Sequence, residues 1–243
     1  MSIALTSVTA GTTVLLGAAT QRLTGMGFAL VSGPLLVLLL GAGVGVPLIQ
    51  VLSFFVAAST LASTFRDVEW GRAGMLMLPA FVGILPGWWL VGIVPGPVLL
   101  IVIGVMVAAA IVAMLMSDRA RVFKGPAGLA SAGFLSGFMN YTAGVGGPAI
   151  VLYSLSNDWS HKAFVGTVQV YFMALNVMSL VGHGIPSLPM PIWLTSFVTL
   201  AVGILAGHRL ARVLSAQAAS KLVVVVALMG AVGTVAQGLY QLY

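Results

Sequence analysis

The chain has 243 residues, of which 60% are hydrophobic and only 6% charged, and its mean hydropathy is +1.15. Ordinary globular chains carry about 25% charged residues, so this composition excludes a water-soluble domain and places the chain in a bilayer. With no cysteine, disulfides and thiolate metal sites are excluded, and the net charge of +6 reflects basic loops rather than a nucleic-acid surface.

In chain order, the N-terminus Met1-Ser-Ile-Ala-Leu-Thr-Ser lacks the basic region of a secretory signal peptide, and the first apolar stretch runs past the length of one. It is read as mature protein. With glycine and proline as punctuation, the apolar runs predict helical segments at 3–20, 26–42, 47–64, 73–93, 97–116, 126–140, 145–156, 163–183, 190–208 and 222–240. Two membrane repeats of five segments each follow, over 1–117 and 118–243. The second segment of each repeat is short and begins at a pair of glycines. The opening pair is therefore a helical hairpin or a broken helix, tolerated at membrane depth only where the break is buried in protein or lines a wet cavity. Counting each opening pair as one crossing gives about eight helices; counting segments gives ten.

Charge bears on this choice. The fourteen formal charges fall in five places: Arg22 alone, then 66–72, 118–124, 158–162 and 209–221. If each opening pair returns to its starting face, the last four lie on one side, and nine of the ten basic residues lie with them. The positive-inside rule then makes that side cytoplasmic. A plain eight-helix count splits the same nine five against four, which is no bias. The fold class expected is thus all-α and polytopic, with two repeats of opposite orientation, because five segments is an odd number.

The repeats echo each other in sequence. Gly25-Met-Gly27 followed by Gln50-Val51 returns as Gly144-Val-Gly146 followed by Gln169-Val170, each 119 residues on, and Gly83-Ile-Leu-Pro-Gly87 returns as Gly203-Ile-Leu-Ala-Gly207 at 120. Duplication in so apolar a chain points to a transporter, whose similar halves rock about a shared site.

The glycine turns carry the strongest local signal. Glycine permits φ > 0 and close approach, proline suits the first helical position, and the helix that follows Gly144-Val-Gly146-Gly147-Pro148 aims free N–H groups and a positive dipole end at the break, where an anion binds. Small residues also serve close packing of membrane helices. Arg22, next to the first turn and preceded by Gln21, is the only charge in roughly the first 65 residues; an arginine in a membrane segment marks function or snorkels to an interface. Its repeat partner is Tyr141, and that of Gln21 is Asn140. One guanidinium suits a mono- or divalent oxyanion. Gln50 and Gln169 either contact substrate or brace a glycine turn. Tyr171 and Asn176 offer further contacts, Asn176 lying two helical turns beyond Gln169. Interhelical hydrogen bonding is their plainer role. His183 and Trp88-Trp89 are placed at segment ends, in the interfacial belt.

Enzyme chemistry finds no support. No Asp or Glu lies inside an apolar segment, His161, His183 and His208 lack metal-ligand spacing, and no Walker-type phosphate loop occurs. No cofactor is expected. Without intramembrane carboxylates there is no obvious ion-coupling site, and a continuous polar stripe of the kind a channel needs is missing.

The duplicated glycine turns, most clearly Gly144-Val-Gly146-Gly147 with Pro148, the helix beginning near Lys162-Ala163 and running through Thr167-Val168-Gln169, and Gly203-Ile-Leu-Ala-Gly207 resemble the sulfite exporter TauE/SafE family of bacterial membrane proteins. The likeness covers nearly the whole chain and implies export of sulfite, sulfoacetate or a related organosulfonate across the bacterial cytoplasmic (inner) membrane. The first repeat departs from the pattern, with Phe28-Ala29 where further glycines are expected. The second turn, with Arg22 reaching across, is therefore expected to do more of the binding.

The site expected comprises Arg22, Gly25, Gly27, Gln50, Asn140, Tyr141, Thr142, Gly144, Gly146, Gly147, Gln169, Tyr171 and Asn176, with a small anion and the bilayer as partners. A non-transporting membrane scaffold or subunit is the other class the residues allow, and they leave monomer and homo-oligomer open.

Overall fold

In hydrocarbon every backbone N–H and C=O must be satisfied by the protein itself, which leaves apolar segments like these the helix as their structure. The computed structural model describes residues 2–24, 27–116, 123–210 and 216–243, with the side chains of 22–24, 208, 210 and 216–219 outside the described set. Among the described residues there are ten α-helices, one short 3₁₀ turn at Phe65–Asp67 and no strand. The helices are α1 (Ile3–Thr24), α2 (Gly27–Leu40), α3 (Ala42–Thr64), α4 (Trp70–Ile93), α5 (Gly96–Leu115), α6 (Gly125–Ala143), α7 (Gly147–Ser156), α8 (His161–His183), α9 (Met190–Leu210) and α10 (Ala216–Tyr240). Each of the ten segments predicted from the sequence is a helix. Seven of them, α1, α3, α4, α5, α8, α9 and α10, are long and apolar enough to cross a membrane by length and composition; α2, α6 and α7, at 14, 19 and 10 residues, are not among them.

Both opening pairs are hairpins. Ser32 of α2 donates its hydroxyl to the Thr13 carbonyl of α1 at 3.2 Å, while Gln21 Oε1 accepts from the Phe28 N–H at 3.0 Å, so α2 runs back down α1. In the second half Asn157, just after α7, donates Nδ2 to the Phe123 carbonyl at 2.6 Å and accepts from the Gly125 N–H at 3.1 Å. One asparagine thus ties the end of α7 to the start of α6.

These hairpins bring the charged connections together. The Glu69 N–H donates to Thr167 Oγ1 at 3.0 Å, and Arg72 pairs with Glu69 at 2.9 Å while its guanidinium stands 4.5 Å over the Trp159 ring. Ser220 shares a groove with Trp159 and His161. Segments 65–72, 123–125, 157–162 and the start of α10 therefore meet at one end of the bundle. The other end gathers Ala42, Gly92, Leu99 and His183.

Close helix approach follows the small residues. On α4, Gly83 lies against the Phe134 carbonyl of α6, Ala80 against Gly137, and Gly87 against Tyr141; on α9, Gly203 lies against Leu15 and Ala18 of α1. Gly83 and Gly87 thus let α4 pack on α6, and Gly203 lets α9 pack on α1, each pair parallel. By contrast α3 and α8 are antiparallel, Thr64 sitting beside Gly166, and so are α5 and α10, with Gly104 near Ala231 and Gly238 near Pro97. Large apolar side chains such as Leu78, Val181 and Leu205 face outward, where lipid covers them.

The hairpins fix an observable topology. With no native cysteine, Lys124→Cys and Lys162→Cys should label from the cytoplasmic side and Ser187→Cys from the opposite side only. Opposite labelling of the two lysine positions in intact cells and inverted vesicles would rule the arrangement out.

Candidate functional site

The site starts from a break in the backbone. α6 ends at Gly144, whose φ of +71° is open to glycine and costly for other residues, and its N–H closes on the Asn140 carbonyl at 2.9 Å. Two residues later Gly146 begins α7, which has Pro148 in its first turn and no side-chain cap. Proline lacks an N–H, so the uncapped donors at this end come from the glycines and Ala149. The chain passes here without a Cβ because Gly146 lies against Ser136, where an added Cβ would stand 2.8 Å from the hydroxyl and 2.9 Å from the carbonyl.

A cavity of about 40 Å3 lies against this turn. A water needs about 10–15 Å3 on that measure, so the space suits a few waters or one compact anion. Its walls are Gly144, Gly146 and Gly147 from the second turn, Gln21, Phe28 and Ala29 from the first, Ser53, Val56 and Ala57 from α3, Asn140 from α6, and Gln169, Phe172 and Asn176 from α8. Ser53 and Phe172 are each eleven residues from either end of their 23-residue helices, so the cavity is at mid-depth. The starts of both short helices converge on it, and no wall residue is acidic.

Hydrogen bonding decides which wall groups are free. Asn140 donates Nδ2 to Asn176 Oδ1 and to Ser179 Oγ, both at 3.2 Å, which commits the Asn176 oxygen and leaves its Nδ2 buried with no partner among the described residues. Ser53 Oγ is likewise buried and unpartnered. Gln50 donates Nε2 to the Asn140 carbonyl at 3.0 Å, bracing α6 one turn before the break. Gln169 lines the cavity but gives its Nε2 to the Val165 carbonyl of its own helix at 3.0 Å. The donors that remain are the Asn176 amide N–H, the Ser53 hydroxyl and the N–H groups at the start of α7, while Gln50 Oε1, behind the wall, is a buried acceptor without a partner among the described residues. A buried donor without an acceptor costs about 1–3 kcal/mol, and an oxyanion would relieve that cost.

Of the residues expected at the site, Asn140, Gly144, Gly146, Gly147, Gln169 and Asn176 line this cavity. Gln50 stands behind it as a brace, and Gly27 is buried at the start of α2 beside Phe28. Tyr141, Thr142 and Tyr171 lie elsewhere. The helical turn carries Tyr141 and Thr142 away from the cavity and toward the end of the bundle near His183, where the Thr142 hydroxyl donates to the Phe138 carbonyl at 2.8 Å. Tyr171 is fully buried in the apolar cluster that packs α8 on α4 and α6. Gly25 and the side chain of Arg22 lie outside the described residues; the α1 backbone carries Arg22 next to Gln21, a wall residue. The expected site did not include the wall residues Gln21, Phe28, Ala29, Ser53, Val56, Ala57 and Phe172. The two-turn face that leads from Gln169 to Asn176 leads from Gln50 through Ser53 to Ala57, and applied to α3 it would have found the serine.

Substitutions at the break should show its constraints. Gly144→Ala should cost about 1–2 kcal/mol for left-handed backbone, and Gly146→Ala about 1–3 kcal/mol for overpacking on Ser136. Thermal unfolding in detergent should show both losses, whereas Gly43→Ala, whose new methyl meets nothing within 4 Å, should be near neutral.

Comparison with known proteins agrees with this architecture. The family model described as sulfite exporter TauE/SafE matches residues 10–234, nearly the whole chain. No curated protein and no solved structure matches it. A multi-pass helical bundle with two glycine-broken hairpins and a family match of this extent leads to one conclusion: the chain belongs to the TauE/SafE family of membrane transporters.

Proposed function

We propose that this transporter carries a small sulfur oxyanion, sulfite or a compact organosulfonate such as sulfoacetate, out of the cytoplasm across the bacterial inner membrane. The observation that carries the reading is the acid-free cavity at mid-depth, where the uncapped start of α7 meets the unpartnered Asn176 amide and Ser53 hydroxyl. A helix N-terminus contributes roughly half a positive charge, and oriented donors in a dry site replace the hydration shell of an anion. Arg22, on the turn after Gln21, supplies the full cation in this reading. A cavity of about 40 Å3 favours sulfite over its larger relatives, which would require the walls to separate.

Two inverted repeats are part of the same proposal. Support comes from the helix pairing: α1 lies on α9 as α6 lies on α4, each pair parallel, while α3 with α8 and α5 with α10 are antiparallel. A twofold axis in the membrane plane requires that of elements paired with their own copies. Rocking one half against the other would then expose the cavity to each side in turn. The driving force needs no coupled ion, because an inside-negative potential of 100 mV gives an outgoing monoanion about 2.3 kcal/mol, roughly a 50-fold gradient.

Flux in proteoliposomes tests this. Sulfite should show saturable transport that rises when the anion-loaded side is made negative, with sulfoacetate slower and taurine and a carboxylate near background; equal rates with and without potential would exclude uniport. Removing a hydrogen bond to a charged ligand costs about 1.5–3 kcal/mol, so Asn176→Ala and Arg22→Ala should each weaken apparent affinity at least about tenfold. Unchanged sulfite kinetics in both variants would reject the site.

A further inference from the structure

Beyond the mid-depth cavity there is a second, larger space of about 290 Å3 at the end of the bundle away from the charged loops. Its walls include Gly43 and Val46 of α3, Trp88 and Gly92 of α4, and Tyr141 and His183. A partition built from α3, α6 and α8 lies between the two spaces. Along α6, Asn140 faces the cavity and the next residue, Tyr141, faces the outer space. Along α3, Val46 lines one and Ser53 the other, two turns apart, with Gln50 between them; along α8, Asn176 and His183 are related in the same way, with Ser179 between. Two turns of helix rise about 11 Å, and the residues between fill most of it.

The partition has a distinctive construction. Its inner layer is polar: Gln50 holds the Asn140 carbonyl, and Asn140 holds Asn176 and Ser179. Its outer layer is an aromatic pair, the Tyr141 and His183 rings meeting edge to face with centroids 4.0 Å apart. The tyrosine ring lies between glycines, Gly87 of α4 and Gly182 of α8; an added Cβ at Gly182 would stand 2.6 Å from the Tyr141 hydroxyl and one at Gly87 3.1 Å from its Cβ. The slot is shaped for that ring, and no covalent or charged contact locks it. Tyr141 is 2% exposed although it borders that space.

We propose that the outer space is the outward station of the transport path, receiving the small oxyanion from the mid-depth cavity, and that Tyr141 and His183 form the gate between the two. This rests on the transport reading above and adds the route and the gating pair to it. Opening requires the end of α6 to move from α8, parting the ring pair and the Asn140 bonds to Asn176 and Ser179 together. Tyr141 and His183 are then positioning residues for access, not ligands of the anion in the closed state.

Single-cysteine accessibility reads the gate without a transported substrate, in a chain whose own cysteine count is zero. Gly43→Cys and Gly92→Cys introduce side chains that meet nothing within 4 Å. Both should react with a membrane-impermeant maleimide added outside intact cells, while Ser53→Cys in the cavity reacts slowly. Adding Tyr141→Ala should raise the Ser53→Cys rate about tenfold or more, as expected if gate opening becomes easier by about 1.4 kcal/mol. His183→Ala, which keeps the tyrosine, should act in the same direction and covers the case in which the tyrosine variant fails to fold. Labelling of Gly43→Cys from the cytoplasmic side only, or a Ser53→Cys rate unmoved by a folded gate variant, would overturn the proposal. Sulfite flux through the unaltered chain separates the two readings: the expected labelling without flux keeps the gate and rejects the substrate, and flux with unmoved labelling does the reverse.

Discussion

The structure depends on how an interrupted backbone is accommodated at mid-depth in a bilayer. Between Ala143 and Gly147 the helix stops, and in hydrocarbon each freed N–H or C=O would cost several kcal/mol. Protein therefore surrounds the break on every side. Gln50 reaches from α3 to the Asn140 carbonyl, Asn140 reaches to α8, Ile49 covers Gly144, and Ser136 backs Gly146. The amide side chains of Gln50, Asn140 and Asn176 gather here because here the main chain cannot satisfy itself.

That concentration is also what makes the place useful. Bracing the carbonyl side of the break leaves the Asn176 amide N–H, the Ser53 hydroxyl and the start of α7 beside a cavity whose described walls carry no carboxylate. One constraint thus yields both the support and the donors on which the proposed anion site rests. The hairpins complete it, because α2 and α7 are too short to cross and begin inside the protein, their starts at the cavity. Long α3 and α8 pass on either side and carry the same contacts from the cavity toward the outer space.

The glycines divide by job. Gly83, Gly203 and Gly137 let helices approach until backbones touch, which holds α4 on α6 and α9 on α1. Gly144 is different, since its positive φ turns the chain. Gly87 and Gly182 serve a third purpose as the slot for the Tyr141 ring. A sequence echo such as Gly83 to Gly87 against Gly203 to Gly207 mixes these purposes, so it announces duplication without saying what each glycine does.

Composition and periodicity by themselves determined the membrane class, the ten helical segments and the place of both breaks, because apolar runs, glycine pairs and charge clusters are local properties of the chain. The hairpins were legible too, through the charge that only a returning pair gathers on one face. Tertiary structure decided which side chains share a space. Asn140 and Tyr141 are neighbours in sequence yet face different spaces, since adjacent residues on a helix point about 100° apart and the partition passes between them. Ser53 joined the site through the antiparallel packing of α3 on α8, and Tyr171 left it for the apolar cluster against α4 and α6. Whether a buried amide braces or binds depends on which partner lies within 3 Å, and for Gln50 that partner is 90 residues away in the chain.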